Sequence, residues 1–490
     1  MTRRYRLESA LLASGWARNV DVTVDDRGII GRIEAAGSDL PPPGPAAPGP
    51  AAPGPAAPDP AAPGDERAPE RVGGFVVPGM PNAHSHAFQR AMCGNTEYRS
   101  SARDSFWTWR EAMYALANRI TPEDLELLAG QLFVEMLKAG YTSVAEFHYL
   151  HRPIEGGLRA GPNALWEAVT RGAETAGIGL TLLPTLYQTS DFGARPLKPE
   201  QARFELQTGQ FVRAIEARVD AERRLGPVAR RTGAAFHSLR AVPLESLREA
   251  LAALRSIDPG MPVHIHVAEQ RAEVQASVRS TGRRPIELLL HSGLMDAHWC
   301  LVHATHATPA ELQGIARSGA AVCVSITTEA NLGDGFFDAA RHLQAGGRLC
   351  VGSDSQATVC PAEELRWMEY QARLRKRRRA ALASREESHV GTRLWREAAQ
   401  AGALALGQAA GTLGPGARAD WLVLDDAHPS MAAATPATAL DHLIFAGGSA
   451  AIRHVMVAGR WVVRDRCHAA EEALAGPFRS LMSRLALPAP

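Results

Sequence analysis

The sequence has no excess of charge of either sign, because 53 basic side chains stand against 52 acidic ones and the formal net charge is +1. Such a balance gives no general electrostatic reason to bind nucleic acid or an anionic membrane. We therefore expect neither as a partner. The basic run at residues 373–379 is a local exception, which we interpret as the solvated face or end of a helix.

Paired cysteines and long apolar runs are also missing. None of the six cysteines forms a Cys-x-x-Cys pair, and Cys300, Cys323 and Cys350 lie inside apolar segments where a free thiol behaves as a small hydrophobe. No apolar run reaches the length of a membrane span, and residues 1–6 are not followed by the apolar core of a signal peptide. These absences predict a protein of the reducing cytoplasm.

Proline and small residues dominate one segment near the N-terminus. Residues 41–64 repeat Pro-Gly-Pro-Ala-Ala with a five-residue period. Proline at this density excludes helix and central strand, and the small side chains have nothing to bury. We expect a disordered loop over residues 38–70. The loop interrupts a β region, in which residues 22–33 read as a hairpin around Asp25-Asp26-Arg27-Gly28.

Short apolar strands alternate with amphipathic helical stretches between residues 75 and 359. The candidate strands are residues 75–77, 143–149, 179–187, 234–238, 263–268, 300–303, 320–326 and 349–353. Helical spacing is visible between them, as at Leu125, Leu128, Leu132 and Met136. Eight β-then-α units favour an α/β fold of the (β/α)8 TIM-barrel type over an open doubly wound sheet.

Both ends of the chain predict further strands outside the barrel. Residues 419–425 and 454–463 read as strands, the latter turning at Ala458-Gly459, and residues 469–486 read as a helix. With the N-terminal hairpin they should form a small β-sandwich. The predicted division is 1–74 for the first part of the sandwich, 75–405 for the barrel, and 406–490 for the rest of the sandwich and the terminal helix.

A His-x-His pair ends the apolar segment at residues 78–86. Residues two apart on a strand point to the same side, so His84 and His86 can converge on one point. Two neutral imidazoles suit a borderline metal such as zinc. Taken alone, the pair also fits a polar strand end whose histidines are satisfied by hydrogen bonds.

Three more candidate strands end in residues that suit a metal hydrolase. They are residues 262–269, 300–306 and 349–355, which place His266, Glu269, His303 and Asp354 near strand ends. Metal hydrolases need imidazole and carboxylate ligands with acid–base groups beside them. The three-residue spacing from His266 lets Glu269 reach a substrate, although Glu269 also fits a cap of the next helix. We expect the remaining histidines to be structural, among them His148, His151, His264 and His306.

With these motifs, the sequence resembles the amidohydrolase superfamily, in particular its deaminases that use a single metal ion. The resemblance rests on the strings at residues 82–92, 236–242, 264–270 and 327–335, and it spans nearly all of the chain apart from the proline-rich loop. Two positions depart from the pattern. Ser325-Ile326 stands where the family usually has Cys-Pro, and Phe236 stands where it usually has proline.

The resemblance implies a role for each residue of the site. His84, His86, His266 and Asp354 would bind one zinc ion; His303 would lie beside its water, and Glu269 would move the proton; Gln89, Arg110, Tyr149, His237 and Arg240 would bind substrate. It also implies a homodimer. The implied reaction is deimination of N-formimino-L-glutamate to N-formyl-L-glutamate and ammonia.

Two features bear on alternative functions. A dicarboxylate needs two anchors, and planar guanidinium groups such as those of Arg110 and Arg240 hold carboxylates bidentately. A purine, pyrimidine or triazine aminohydrolase shares the metal set and stays an alternative within the enzymes. A catalytically inactive barrel that serves as a scaffold is the alternative outside them.

Overall fold

The computed structural model describes residues 2–35, 68–98, 105–152, 154, 163–225 and 230–486. The predicted disordered loop covers residues 38–70, and its residues 38–67 lie outside the described ranges. The strands are β1 Arg3–Leu12, β2 Gly15–Val24, β3 Ile30–Ala35, β4 Glu70–Pro78, β5 Met80–Ser85, β6 Tyr141–His148, β7 Gly179–Leu186, β8 Arg230–Thr232, β9 Ala234–Phe236, β10 Val263–Val267, β11 Trp299–His303, β12 Ala321–Val324, β13 Arg348–Val351, β14 Trp421–Leu424, β15 Ile452–Val457, β16 Arg460–Arg464 and β17 Cys467–His468.

The helices alternate with the strands of the central region, as the apolar periodicity predicts. They are α1 Phe106–Ala117, α2 Pro122–Ala139, α3 Ala164–Ala176, α4 Thr208–Leu225, α5 Leu244–Ile257, α6 Arg271–Thr281, α7 Pro285–Ser292, α8 Pro309–Ser318, α9 Ile326–Leu332, α10 Ala339–Gln344, α11 Pro361–Lys376, α12 Val390–Leu406, α13 Ala439–His442 and α14 Glu471–Leu485. Within the described ranges, no helix is both long and apolar enough to cross a membrane.

A parallel barrel forms the centre of the molecule. Its strands run in the order β5-β6-β7-β9-β10-β11-β12-β13, and the short strand β8 also pairs with β7. The barrel closes where the chain beyond β13 meets β5, through a parallel bridge between Ser85 and Asp354. At this seam the backbone N–H of His86 donates to the Asp354 carbonyl (3.1 Å), and the N–H of Asp354 donates to the His84 carbonyl (3.0 Å). The predicted (β/α)8 fold is therefore confirmed.

The first barrel strand differs from the prediction. Residues 75–77 belong to β4, which pairs with β1 and β14 of the other sheet, and the barrel begins with β5. The apolar run continues across Pro78-Gly79 without a compositional break, so hydrophobicity alone does not reveal the change of sheet. The predicted domain boundary at residue 75 consequently falls within β4 rather than after it. The rest of the predicted division stays a prediction.

The second sheet contains strands from both ends of the chain, in the order β17-β16-β15-β14-β4-β1-β2-β3. It curls so that the β2–β3 turn meets the β15–β16 turn: a Cβ atom added at Gly459 would lie 3.2 Å from the Cα atom of Gly28, and the Arg3 guanidinium donates to the Gly459 carbonyl (2.6 Å). The curled sheet encloses its own core, where the rings of Tyr5 and Trp421 meet edge to face at 5.3 Å. The predicted β-sandwich is confirmed in this form.

Helix α2 shows how the sequence sets the barrel's outer layer. Thr121 and Asp124 form a reciprocal capping box at its start, and Gly140 ends it with a left-handed backbone (φ 107°). Its buried face repeats at helical spacing, with Leu128 and Leu132 fully buried against the barrel. Burial of each such leucine stabilises the fold by about 1.5–3 kcal/mol. The terminal helix α14 packs on α2, where Lys138 pairs with Glu471 (2.5 Å).

Candidate active site

The strand ends that carry the predicted site residues share an unusual backbone conformation. Ala268, His303 and Asp354 all have positive φ (53°, 71° and 48°). This left-handed region costs a non-glycine residue roughly 1–2 kcal/mol. Strain of this kind persists where surrounding structure over-determines it. Here it turns the chain at the carboxyl ends of β10, β11 and β13 and directs the side chains toward the barrel axis.

Four buried ligand atoms converge beside the barrel seam. The Nε2 atoms of His84 and His86 each lie 3.4 Å from Oδ1 of Asp354, and Nε2 of His266 lies 3.1 Å from Nε2 of His84. Ligands about 2.0–2.1 Å from a tetrahedral zinc ion are about 3.3 Å from one another. These three separations fit neighbouring ligands of a zinc ion. His84, His86 and Asp354 lie close enough together to share one ion, and so do His84, His266 and His303.

Second contacts orient two of these imidazoles. Nδ1 of His86 lies 2.8 Å from the Phe147 carbonyl, and Nδ1 of His266 lies 2.9 Å from the His237 carbonyl. These carbonyls hold the proton on Nδ1 and leave the Nε2 lone pairs free, as in metal-ligating histidines generally. Burial lowers the pKa of His86 to about 4 and holds the pKa of His266 well below its ordinary value. Both rings are therefore neutral at physiological pH, as ligands must be.

His303 stands at the edge of this group, between carboxylates. Its Nε2 lies 3.7 Å from Glu269 and 3.8 Å from Oδ2 of Asp354, and its Nδ1 lies 3.2 Å from the buried Glu329 carboxylate. Burial alone lowers the pKa of His303, but Glu269, Glu329 and Asp354 together raise it to about 10. No sequence pattern indicated a role for Glu329. It lies inside the motif at residues 327–335, yet its pairing with a residue on β11 has no local signal.

Glu269 faces the cavity, and a different carboxylate caps the following segment. Glu273 accepts hydrogen bonds from the backbone N–H groups of Ala268 (3.1 Å) and Glu269 (3.0 Å). The Glu269 side chain therefore does not cap the next helix, which was the alternative role for this position. Burial is the main cause that raises the pKa of Glu269 to about 7, opposed by His303 and reinforced by Asp354. A carboxyl group with this pKa can both accept and donate a proton near neutral pH.

A cavity opens above the ligand group. All five predicted substrate residues line it, together with the catalytic candidates: Gln89, Arg110, Tyr149, His237, Arg240, Glu269, His303 and Asp354. The structure thus brings together every predicted site residue, although His84 lies beneath the cavity rather than on its wall. Their individual roles stay predictions.

Two guanidinium groups enter the upper part of the cavity. Arg110 of α1 stacks on the Trp107 ring at 4.4 Å, and its buried Nη1 atom has no hydrogen-bond partner within the described part of the chain. Arg240 lies after β9 and donates to the Ser190 carbonyl (3.0 Å). Lower in the cavity, Nε2 of Gln89 donates to the Tyr149 hydroxyl (2.7 Å), while its buried Oε1 atom has no partner among the residues that the structure describes. Both ends of the cavity therefore present unused hydrogen-bonding capacity.

Several cavity residues were missed by the sequence analysis. They are the aromatic side chains of α1 and its neighbours, Phe106, Trp107, Trp109, Tyr114, Tyr187 and Phe204. Aromatic residues at helical spacing on α1 are a weak signal, because such a stripe usually packs into a core. Tyr187 directly follows the strand β7, so its place at a barrel mouth was open to prediction.

The predicted structural histidines bind backbone carbonyls. His148, His151 and His264 contact the carbonyls of Leu150 (2.6 Å), Thr185 (2.8 Å) and Ala405 (2.8 Å), respectively. His306 lies outside the ligand group. Of the two departures from the family pattern, Phe236 stacks on Trp299 at 6.0 Å, away from the cavity wall, and Ser325-Ile326 begins α9.

Comparisons with known proteins agree with this geometry. The model of the amidohydrolase family matches residues 75–462. Formimidoylglutamate deiminase of Pseudomonas aeruginosa is 45% identical over 98% of this chain and 98% of its own length. The crystal structure of an amidohydrolase from Brucella melitensis, 36% identical, covers 99% of this chain and 100% of its own with a TM-score of 0.85.

A more distant structure shows the same fold. An adenosine deaminase from Xanthomonas campestris, solved with bound zinc, is 20% identical, covers 98% of both chains and has a TM-score of 0.74.

Proposed function

This chain belongs to the amidohydrolase family and is a hydrolase that acts on carbon–nitrogen bonds, and from this premise we propose that its substrate is N-formimino-L-glutamate. Water would replace the imino nitrogen to give N-formyl-L-glutamate and ammonia. The observation that carries this proposal is a single cavity that has a metal-ligand group at its base and the guanidinium groups of Arg110 and Arg240 at its mouth. The 45% identity to the Pseudomonas aeruginosa deiminase supports it.

One zinc ion is the proposed cofactor, with His84, His86, His266 and Asp354 as its ligands. The spacing of about 3.3 Å expected between tetrahedral zinc ligands matches the separations of 3.1–3.4 Å found here. When bound, the ion supplies a Lewis acid that lowers the pKa of a coordinated water to about 7.

Two side chains carry the proton transfers, and a third binds the attacking oxygen. Asp354 takes one proton of the attacking water through the carboxylate oxygen that faces His303. Glu269, whose pKa of about 7 allows both protonation states, donates a proton to the imino nitrogen and regains one from the hydroxyl group of the tetrahedral carbon. The proton held by Asp354 passes to the same nitrogen, which then leaves as ammonia. His303 donates a hydrogen bond from Nε2 to the attacking oxygen, while Glu329 holds the proton on Nδ1.

Substrate recognition follows from charge and from unused hydrogen-bonding atoms. Arg110 and Arg240 bind the two carboxylates, which suits planar bidentate donors. The free Oε1 atom of Gln89 accepts a hydrogen bond from the formimino N–H group near the metal-ligand group. Tyr149 orients Gln89, and His237, whose pKa burial and Arg240 lower, packs as a neutral ring beside them.

The direct test is ammonia release from N-formimino-L-glutamate by the zinc-loaded protein. Assays under the same conditions with guanine, adenosine, cytosine and a chlorotriazine test the aminohydrolase alternative. We expect turnover of the formimino substrate alone. Preferential turnover of a base would replace the proposed substrate, and a zinc-loaded protein that is inert toward all of them would favour the scaffold alternative.

Metal content tests the proposed cofactor separately. We expect one zinc per chain by mass spectrometry of the native protein, loss of activity on dialysis against a chelator, and recovery on addition of zinc. Two metal ions per chain, or activity that survives complete removal, would contradict the proposed single-ion site.

Compartment and assembly complete the proposal. We propose a cytoplasmic enzyme, in keeping with the unpaired state of all six cysteines, and a homodimer. Light scattering of the eluted native protein at micromolar concentration measures its oligomeric state directly. A monomer mass would contradict the proposed homodimer.

A further inference from the structure

A hydrogen-bonded group of three side chains, Tyr114, Gln201 and Tyr187, lies at the guanidinium end of the cavity. Nε2 of Gln201 lies 3.1 Å from the Tyr114 hydroxyl and 2.8 Å from the Tyr187 hydroxyl. The three residues come from α1, from the short 3-10 helix Pro199–Phe204, and from the residue after β7. All three are buried, and both tyrosines line the cavity.

The orientation of the Gln201 amide is fixed by the backbone. The N–H of Lys198 donates to Oε1 of Gln201 (3.0 Å), so Oε1 is the acceptor and the opposite atom, which faces the tyrosines, is the NH2 group. An amide NH2 group has two protons and accepts no hydrogen bond. Each proton therefore goes to one tyrosine oxygen, and both hydroxyls act as acceptors toward Gln201.

The two hydroxyl protons must consequently point elsewhere. Among the described residues, neither hydroxyl donates a hydrogen bond, and the neighbouring guanidinium groups of Arg110 and Arg240 only donate. The carboxylate of Glu273, which also interacts with Arg240, already accepts from the backbone N–H groups of Ala268 and Glu269. Burial raises the pKa of Tyr114 above its ordinary value, so its hydroxyl keeps its proton at neutral pH. The tyrosine hydroxyls and the guanidinium groups therefore present several donors at this end of the cavity.

We propose that Gln201 orients Tyr114 and Tyr187 so that their hydroxyls, together with Arg240, bind one of the two substrate carboxylates and contribute to specificity for a dicarboxylate. The inference rests on the proposed function, in which Arg110 binds the other carboxylate, and adds Tyr114 and Tyr187 as specificity-determining residues, with Gln201 as a positioning residue. Three donor groups directed at one acceptor-only group lie within the hydrogen-bonding capacity of a carboxylate, which has about four lone-pair sites. A neutral base, which presents donors as well as acceptors, would leave such a site unsatisfied.

Paired substitutions in enzyme and substrate test this assignment. Tyr114→Phe and Tyr187→Phe are compared with wild type on N-formimino-L-glutamate and on two analogues, N-formimino-4-aminobutyrate and N-formimino-L-glutamine, each of which lacks one carboxylate. We expect each substitution to lower kcat/KM for the full substrate by about ten- to a hundred-fold, the usual effect of a hydrogen bond to a charged group. The loss should appear mainly in KM, since the contact lies away from the reacting carbon.

The decisive result is that the Phe substitutions no longer lower kcat/KM when one carboxylate is missing from the substrate. For the analogue that lacks the bound carboxylate, Phe variants and wild type should have equal kcat/KM. Tyr141→Phe is the matched control, because Tyr141 is also buried, its hydroxyl has no hydrogen-bond partner among the described residues, and it does not line the cavity. Gln201→Glu reverses the amide's polarity, draws the hydroxyl protons away from the cavity, and should lower kcat/KM at least as much as either Phe variant.

Failure of this inference is distinct from failure of the proposed function. If wild type turns over N-formimino-L-glutamate but the Phe variants match Tyr141→Phe, or lose the same factor on all three substrates, the tyrosine assignment is wrong and the proposed function stands. If wild type is inactive on that substrate, calorimetric titration with glutarate still tests the donors. Glutarate should then bind wild type more tightly than the Phe variants, and equal affinities would overturn the assignment.

Discussion

At the scale of single residues, the roles proposed for Asp354 and Glu269 separate metal binding from proton transfer. Asp354 contacts two of the proposed histidine ligands and also faces His303. Of these three histidines, Glu269 contacts only His303. The two carboxylates should therefore differ in what their removal does to the bound metal. Burial is also the main cause that raises the pKa of Glu269 to about 7.

Glu269→Gln and Asp354→Asn should each lower kcat at least about a hundred-fold, the usual contribution of a positioned acid or base. Only Asp354→Asn should also weaken zinc binding, because it alone removes a ligand charge. Steady-state kinetics and the zinc content of the same preparations measure both effects. A Glu269→Gln variant that keeps more than roughly a tenth of wild-type kcat would contradict its role as the proton donor.

Arg240→Met should raise KM for N-formimino-L-glutamate far more than Arg240→Lys does, because lysine keeps the charge and loses only the bidentate geometry. Arg248→Met is the control, since Arg248 lies on α5 in a half-exposed ion pair with Glu245. Equal KM values for the methionine and lysine variants would argue against a bidentate contact. An effect of the control as large as that of Arg240→Met would point to general charge instead.

At the scale of elements, buried carboxyl groups hold helices against the barrel mouth. Glu364 of α11 is fully buried and accepts hydrogen bonds from the backbone and side chain of Thr327 on α9. Burial is the main cause that raises its pKa from 4.5 to about 8. The folded state therefore holds a proton that the unfolded chain releases at lower pH.

The sign of the resulting pH dependence follows from linkage. The Glu364 contribution to stability is fully present below its unfolded pKa and is lost as pH rises through the folded value of about 8. Glu364→Gln cannot titrate and should remove the loss of stability that Glu364 causes. Between the unfolded and the folded pKa of Glu364, the Tm of the variant should therefore fall less than that of wild type. Calorimetry at constant zinc measures it, with Glu363→Gln on the same helix as control. Parallel Tm curves for wild type and Glu364→Gln would contradict the expectation.

The range of an interaction along the chain determined whether it could be predicted from the sequence. Residues at the ends of β10, β11 and β13 were predictable because strand alternation and family motifs are local signals. The contacts of Glu329 with His303 and of Gln201 with Tyr114 join residues 26 and 87 positions apart, and no local pattern encodes them. The change of sheet at Pro78-Gly79 was missed because both strands are apolar and lack a polar break between them.

At the scale of the whole molecule, Gly79 joins the curled sheet to the barrel. A methyl group at this position would lie within 2.2 Å of the Thr142 side chain at the start of β6. Gly79→Ala should therefore shift the two sheets apart and lower the free energy of unfolding by about 1–3 kcal/mol, as overpacking does. Denaturant unfolding measures it. Gly414→Ala, which meets nothing within 4 Å, is the control and should change stability much less; equal effects would contradict the expectation.

The barrel seam joins residues from the beginning and the end of the catalytic region. His84 and His86 leave the first strand, Asp354 follows the last, and these residues also exchange the backbone hydrogen bonds that close the ring. A nascent chain that has not yet emerged past Asp354 therefore cannot close the barrel, and it cannot complete the proposed zinc site. On the proposed ligand set, zinc binding would follow the docking of β13.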